Sequence, residues 1–308
     1  MTRKIWTIVP LLFGLSLFLP PSSEAKKEKP HLIIVYSSSV RGSLRPCGCK
    51  IPAGGIARRS TYIKKVQREY QGTPILILDG GNFTTAYTRE GEIKSLYLTR
   101  AMSLMGYTAA NIGQREFHLG NPFWKKLRKE ARFPLISANI EEKGKYPFRR
   151  FLIKRFPKEG ISVGITGILP PVRRLYPGDE TSRTTNPEKA LKELIPELRK
   201  SCDIVILLSA MKMTDSERLA REVPGIDIIV GSYSFNLTKE PKTVNNTYIL
   251  YGGSGGKNLG LIFLYLNEKR KIRLLRHKLV LLDPKIKDDP MMLKLIKQAE
   301  EEINRPPR

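Results

Sequence analysis

The sequence predicts an α/β fold in the form of a layered sandwich. Three observations lead there. Short β-branched apolar runs alternate with amphipathic helical stretches, most of these runs end in loops rich in Gly, Ser and Asn, and the pattern changes to paired strands after Thr247.

In chain order, His31 to Tyr36 has the length and β-branched content of a buried strand and runs into Ser37-Ser38-Ser39. Gly55 to Tyr70 places Ile56, Tyr62, Ile63 and Val66 near helical spacing among Arg and Lys, and Gly72-Thr73-Pro74 stops that helix. The strand Ile75 to Leu78 follows and ends at Asp79-Gly80-Gly81-Asn82. The alternation repeats with a helix over Ile93 to Met105, a strand over Thr108 to Ile112, a helix over Pro122 to Arg132 and a strand over Leu135 to Asn139. Further strands are expected near Phe151 to Ile153, Ser162 to Thr166, Ile204 to Leu208 and Ile226 to Val230, with helices at Pro187 to Lys200 and Asp215 to Glu222. Tyr248 to Tyr251, Gly260 to Leu266 and Ile272 to Val280 complete the strands. A peripheral amphipathic helix is expected over Asp288 to Ile303, which carries Met291, Leu293, Leu295, Ile296 and Ile303 among Lys and Glu.

The first 25 residues read as a secretory signal peptide. Arg3 and Lys4 precede an apolar run from Ile5 to Leu19, and Ser23 and Ala25 hold the small-residue positions before a cleavage site. The apolar run is too short for a membrane span, so the mature protein is expected to be periplasmic or extracellular with no transmembrane segment. Residues 26–285 then form one domain and residues 286–308 a C-terminal helix and tail. Three cysteines, Cys47, Cys49 and Cys202, are too few for a disulfide framework, so the core holds the fold.

Lys and Arg outnumber Asp and Glu by 54 to 29, a formal charge of +25, which favours anionic partners. The basic residues are scattered in pairs such as Arg58-Arg59 and Arg149-Arg150 with little aromatic interleaving, which argues for a solvated basic surface and against a specific nucleic-acid reader.

In open α/β sheets, sites form in the loops at the carboxyl ends of strands. Those loops read Ser37-Ser38-Ser39-Val40-Arg41-Gly42, Asp79-Gly80-Gly81-Asn82, Gly113-Gln114-Arg115-Glu116-Phe117, Leu208-Ser209-Ala210 and Gly231-Ser232-Tyr233-Ser234-Phe235. In order and spacing they resemble the five metal-site motifs of calcineurin-like metallophosphoesterases, and more closely those of the 5′-nucleotidase branch. Gly54-Gly55-Ile56-Ala57-Arg58-Arg59, Phe133 to Asn139 and Pro224-Gly225-Ile226-Asp227 extend the likeness over residues 31–280. The resemblance implies a four-layer α/β/β/α sandwich in a single domain.

It also implies a site that has lost its ligands. The family places an aspartate where this chain has Ser39, a histidine at Arg41, an aspartate at Asn82 and an asparagine at Gln114. Further histidines would fall at Ala210, Tyr233 and Phe235, and the histidine that assists the leaving group would fall at Arg115. Ser39, Arg41, Ala210 and Phe235 offer no ligand to a hard dication, and Asn82 and Gln114 are weak neutral ones. The whole chain has three histidines, His31, His118 and His277. No metal, no cofactor and no catalytic residue is therefore expected, since two-metal hydrolysis depends on the ions for its hydroxide and for charge neutralisation. The secreted 5′-nucleotidases also carry a C-terminal nucleoside-binding domain, whereas this chain stops at the helix that would lead into it.

What remains is an anion-binding reading: Arg41 and Arg115 supply guanidinium charge where metal charge would sit, and Asn82, Gln114 and Tyr233 complete the cleft. The leading expectation is a pseudoenzyme that binds an anionic small molecule or an acidic envelope protein. Its rivals are a divergent phosphoester hydrolase and a redox-associated or structural envelope protein using Cys47 and Cys49, whose bridging the spacing leaves open. The segment Gly252 to Lys257 lacks the P-loop ending and precedes a strand, so it is expected to be a turn and not a phosphate cradle.

Overall fold

The computed structural model describes residues 28–85, 88–118, 120–176, 178–233 and 235–306. The expected signal peptide lies outside them. Along the chain run β1 (Leu32–Ser37), α1 (Ile56–Glu69), β2 (Ile75–Asp79), α2 (Arg89–Leu104), β3 (Ala109–Asn111), α3 (Gly120–Glu130), β4 (Leu135–Ile136) and β5 (Ile140–Glu142). They continue as β6 (Phe151–Phe156), β7 (Ile161–Ile168), β8 (Ser182–Thr184), α4 (Pro187–Ser201), β9 (Ile204–Ser209), α5 (Met213–Glu222) and β10 (Ile228–Gly231). The last elements are β11 (Lys242–Val244), β12 (Thr247–Tyr251), β13 (Asn258–Leu266), β14 (Ile272–Leu281) and α6 (Pro290–Asn304).

Two six-stranded sheets result, in the orders β14-β13-β1-β2-β3-β4 and β11-β12-β10-β9-β7-β6, with β5 and β8 as a small ribbon. Side chains alternate between the faces of a strand, and β1 shows what this does. Ile33 and Val35 join the core beneath α1, α2, α3 and α6, while Leu32, Ile34 and Tyr36 enter the core between the sheets. In β9, Ile204, Ile206 and Leu208 face the inter-sheet core, whereas Val205 and Leu207 pack under α4 and α5. Both sheets are thus covered on both faces, which explains the continuous apolar runs. The layers are α/β/β/α, as the sequence implied.

At two of the boundaries that differ from expectation, local chemistry accounts for the change. Helix α2 starts at Arg89, four residues before the apolar periodicity does, because the Thr88 side chain accepts the Gly91 N–H at 3.0 Å and Glu90 and Glu92 lie in the first turn. The strand expected to reach Asn139 stops at Ile136. The Asn139 amide instead donates to Leu169 O and Thr185 O. Strands β5, β8 and β11 are three residues each, too short to show a period. Helix α6 is tied in more firmly than a peripheral tail. Its Met292, Ile296 and Ala299 are buried in the outer core, Asp289 at its N-cap accepts from Ser60 and from Lys64 Nζ at 2.6 Å, and Arg89 donates to Glu302 O and Ile303 O.

Candidate functional site

Parallel pairing of β1, β2 and β3 in one sheet, and of β9 and β10 in the other, brings their carboxyl-end loops to one edge where the sheets meet. The loops are bonded across the sheets. Ser38 Oγ donates to Gly231 O at 2.8 Å, the Ser39 N–H donates to Ser232 Oγ at 2.8 Å, and the Ser39 and Ser232 hydroxyls lie 3.0 Å apart. Asn82 Nδ2 donates to Ser232 O at 2.9 Å. Ser39, Arg41 and Asn82 all adopt left-handed backbone conformations, with φ of 45°, 55° and 57°. Three such residues in adjoining loops concentrate backbone strain at this edge, a pattern associated with functional sites.

Glu116 holds the loops in place. Its carboxylate is fully buried and accepts N–H bonds from Asn82 and Gly113 on one oxygen, at 3.0 and 2.7 Å, and from Thr84 on the other at 3.0 Å. Burial nevertheless keeps its ionisation above the ordinary carboxylate range. Asn82 Oδ1 accepts the Arg115 N–H at 3.2 Å. A Cβ on Gly113 would lie 2.5 Å from that oxygen, so this close approach requires glycine.

Below the loops lies a second buried cluster. Asp79 is fully buried, accepts from Ser37 Oγ and from the Gly81 N–H at 2.8 Å, and is pushed up to about 7, mainly by burial. Ser37 Oγ also contacts the buried Tyr107 hydroxyl at 2.8 Å. The guanidinium near enough to favour both ionisations is Arg59, itself fully buried on α1. The Arg58-Arg59 pair is therefore not part of the solvated surface, as its sequence suggested. Gly256 makes room for it: at φ 61° its missing Cβ would lie 2.2 Å from Arg59 Nη2. This gives the glycine-rich turn a packing role.

The expected anion-binding residues divide into groups. Arg115 is within electrostatic reach of Arg41: burial first, then the Arg115 charge, depresses the Arg41 guanidinium below its usual value. Arg41 stacks over the exposed Phe235 ring at 5.1 Å, and its buried Nε has no hydrogen-bond partner among the described residues. Arg115 Nε donates to Thr84 O at 3.1 Å. The Asn82 amide adjoins Arg115 but is already bonded at both ends. Gln114 faces a separate cavity of about 350 Å³ with Phe117, His118, Arg174 and Tyr176. Tyr233 packs against the outer core of the second sheet, and Ala210 is buried in the core beneath the first.

Cys47 and Cys49 are bridged to each other, while Cys202 is free and buried. Cys47 shares a cleft of about 460 Å³ with Arg41. The sequence placed both near the first loop but could not show one cleft.

A pair of dications, which this fold implies, does not fit the donor set. Ser39 Oγ and both ends of the Asn82 amide are engaged with other protein groups, and both Glu116 oxygens take backbone N–H bonds. Arg41 would face the ions with a like charge. Among the described residues, no group of three or more His, Cys, Asp or Glu side chains converges. His31 accepts the Leu266 N–H, and His277 is engaged by the Tyr36 hydroxyl and Lys239 O.

This frame defines the class: it is the calcineurin-like phosphoesterase fold. The structure superposes on a calcineurin-like phosphoesterase from Bacillus subtilis with a TM-score of 0.75 at 18% identity, covering 89% of this chain and 98% of that one. It superposes on a 5′-nucleotidase precursor from Thermus thermophilus with a TM-score of 0.80 at 22% identity, covering 88% and 59%. The sequence relatives include 5′-nucleotidases. A snake venom 5′-nucleotidase from Naja atra is 26% identical over 293 residues, 82% of this chain and 54% of that one, and a 5′-nucleotidase from Vibrio cholerae is 28% identical over 252 residues, 67% and 44%. The chain spans about half the length of the curated relatives it matches. No family model matches it.

Proposed function

We propose that this chain is an exported, metallophosphoesterase-like pseudoenzyme that binds an anionic ligand at Arg41 and Arg115 without two-metal hydrolysis. The observation that carries this reading is the state of the site's polar groups. Those at the metal-motif positions are largely engaged with each other, while Arg41 presents a charged group with an unsatisfied Nε beside a second guanidinium. Like charges held together are stabilised by an anion between them, and an arginine fork suits phosphate or carboxylate oxygens. Export is supported by the amino-terminal pattern and by the Cys47–Cys49 bridge, which persists in oxidising compartments. Among the described residues, no helix is long and apolar enough to cross a membrane.

Calorimetric titration with inorganic phosphate, thiosulfate and a nucleoside monophosphate tests the site. One of these should bind with saturable heat, and Arg41→Ala should weaken it at least about tenfold, the effect of losing one charge-assisted hydrogen bond of about 1.5–3 kcal/mol. Heat with none of the three anions, or binding unchanged in Arg41→Ala, would remove the site.

A further inference from the structure

We propose that the Cys47–Cys49 bridge is a thiol-exchange centre whose basic cleft selects small anionic thiols. The inference goes beyond the anion site and shares only Arg41 with it.

The bridge has little structural purpose. It spans a sequence separation of 2, so the loop it closes is among the shortest and constrains the unfolded chain least. The surrounding loop is held without it, by the Cys47 N–H bond to Ala53 O at 2.9 Å and by the bridge pairing of Pro46 with Gly54. Reduction should therefore leave the fold standing. The bridge is also accessible, with Cys49 exposed and Cys47 half-buried at the cleft wall.

The cleft's charge gives the centre its selectivity. Arg41, Arg45, Lys94 and Lys257 line it against one carboxylate, Glu300, which pairs with Arg45. Lys257 Nζ stands 3.2 Å from Cys49 Sγ. An ammonium beside a sulfur stabilises its thiolate, and a better-stabilised thiolate is a faster leaving group.

Together these features order the reaction. An anionic thiol held in the cleft attacks Cys47 Sγ as its thiolate. The Cys47–Cys49 bond breaks, its electron pair leaves on Cys49 beside Lys257, and a mixed disulfide forms at Cys47. A second molecule of the same thiol attacks the mixed disulfide at the substrate sulfur and releases the small-molecule disulfide together with the Cys47 thiolate. Two thiols have been oxidised, the bridge has gained two electrons, and the two thiol protons end on Cys47 and Cys49.

The test mixes the oxidised full-length chain with mercaptopropionate or with cysteamine and follows reduction of the bridge by alkylation and mass. Rates are compared per thiolate, against a linear peptide carrying the same Cys-Gly-Cys bridge. The anionic thiol should react at least about tenfold faster than the cationic one on the protein, a typical size for electrostatic focusing in a charged cleft. The peptide should show no such preference. Lys257→Met should slow mercaptopropionate severalfold, with the fold confirmed by circular dichroism. Equal rates for the two thiols on the protein, or a Lys257→Met rate unchanged from wild type, would overturn the proposal. Neither result depends on whether phosphate binds at Arg41, so the two readings fail separately.

Discussion

Glu116→Ala is expected to lower the unfolding free energy by about 4 kcal/mol. Two effects oppose each other at this carboxylate. Burial disfavours its charge, as its raised ionisation shows, so removing it relieves a desolvation cost. Its loss also orphans the N–H groups of Asn82, Thr84 and Gly113 in a dry loop, at about 1–3 kcal/mol each. Three orphaned donors outweigh one relieved charge. Glu116→Gln keeps one acceptor oxygen and should fall between the variant and wild type. The measurement is the chemical denaturation midpoint at constant slope. A loss below about 1 kcal/mol for Glu116→Ala would mean that water enters the loop and replaces the carboxylate.

Asp79 should make stability fall as pH rises from about 4 to 7. An unfolded aspartate ionises near 3.9, whereas in the folded protein burial pushes Asp79 up to about 7. Between those values the folded state holds a proton that the unfolded state has released, so unfolding becomes easier with increasing pH. Three pH units correspond to about 4 kcal/mol at 1.36 kcal/mol each. Other carboxylates act in the opposite direction: Asp289 and Glu130 lie below their usual values through Lys64, Ser60 and Arg100 and lose their contribution in acid. The difference between Asp79→Asn and wild type isolates the one group. Asparagine accepts from Gly81 and donates to Ser37 in the same place, so the variant should match wild type near pH 4 and exceed its stability by several kcal/mol at pH 8. A difference that does not change with pH would mean that Arg59 keeps Asp79 ionised in the folded protein.

The layers and the five loops were legible because they rest on local patterns. Buried strands such as Ile204 to Leu208 announce themselves by composition, and each loop follows its strand directly, which puts Ser39, Arg41, Asn82 and Gln114 a few residues past a strand end. The bonds that organise the edge were not legible. Glu116 takes its partners from a loop about thirty residues upstream, Ser232 reaches Ser39 across 193 positions, and nothing near either residue marks the contact. Gln114 and Arg115 are adjacent in sequence, yet Gln114 faces its own cavity. Arg59 read as one of many surface cations because the space for it depends on Gly256, almost two hundred residues later. Lys257 lies 208 positions from Cys49, so the ammonium beside the bridge had no sequence signal.

In the proposed function, protein groups at this strand edge stand in place of the metal pair. Metal content and phosphoester hydrolysis, measured on one preparation of the full-length protein after dialysis against manganese and zinc, test it most directly. Well under one tightly held ion per chain is expected, with no hydrolysis of nucleotides or a generic phosphodiester above background. About two ions per chain, with hydrolysis that chelation abolishes, would contradict it.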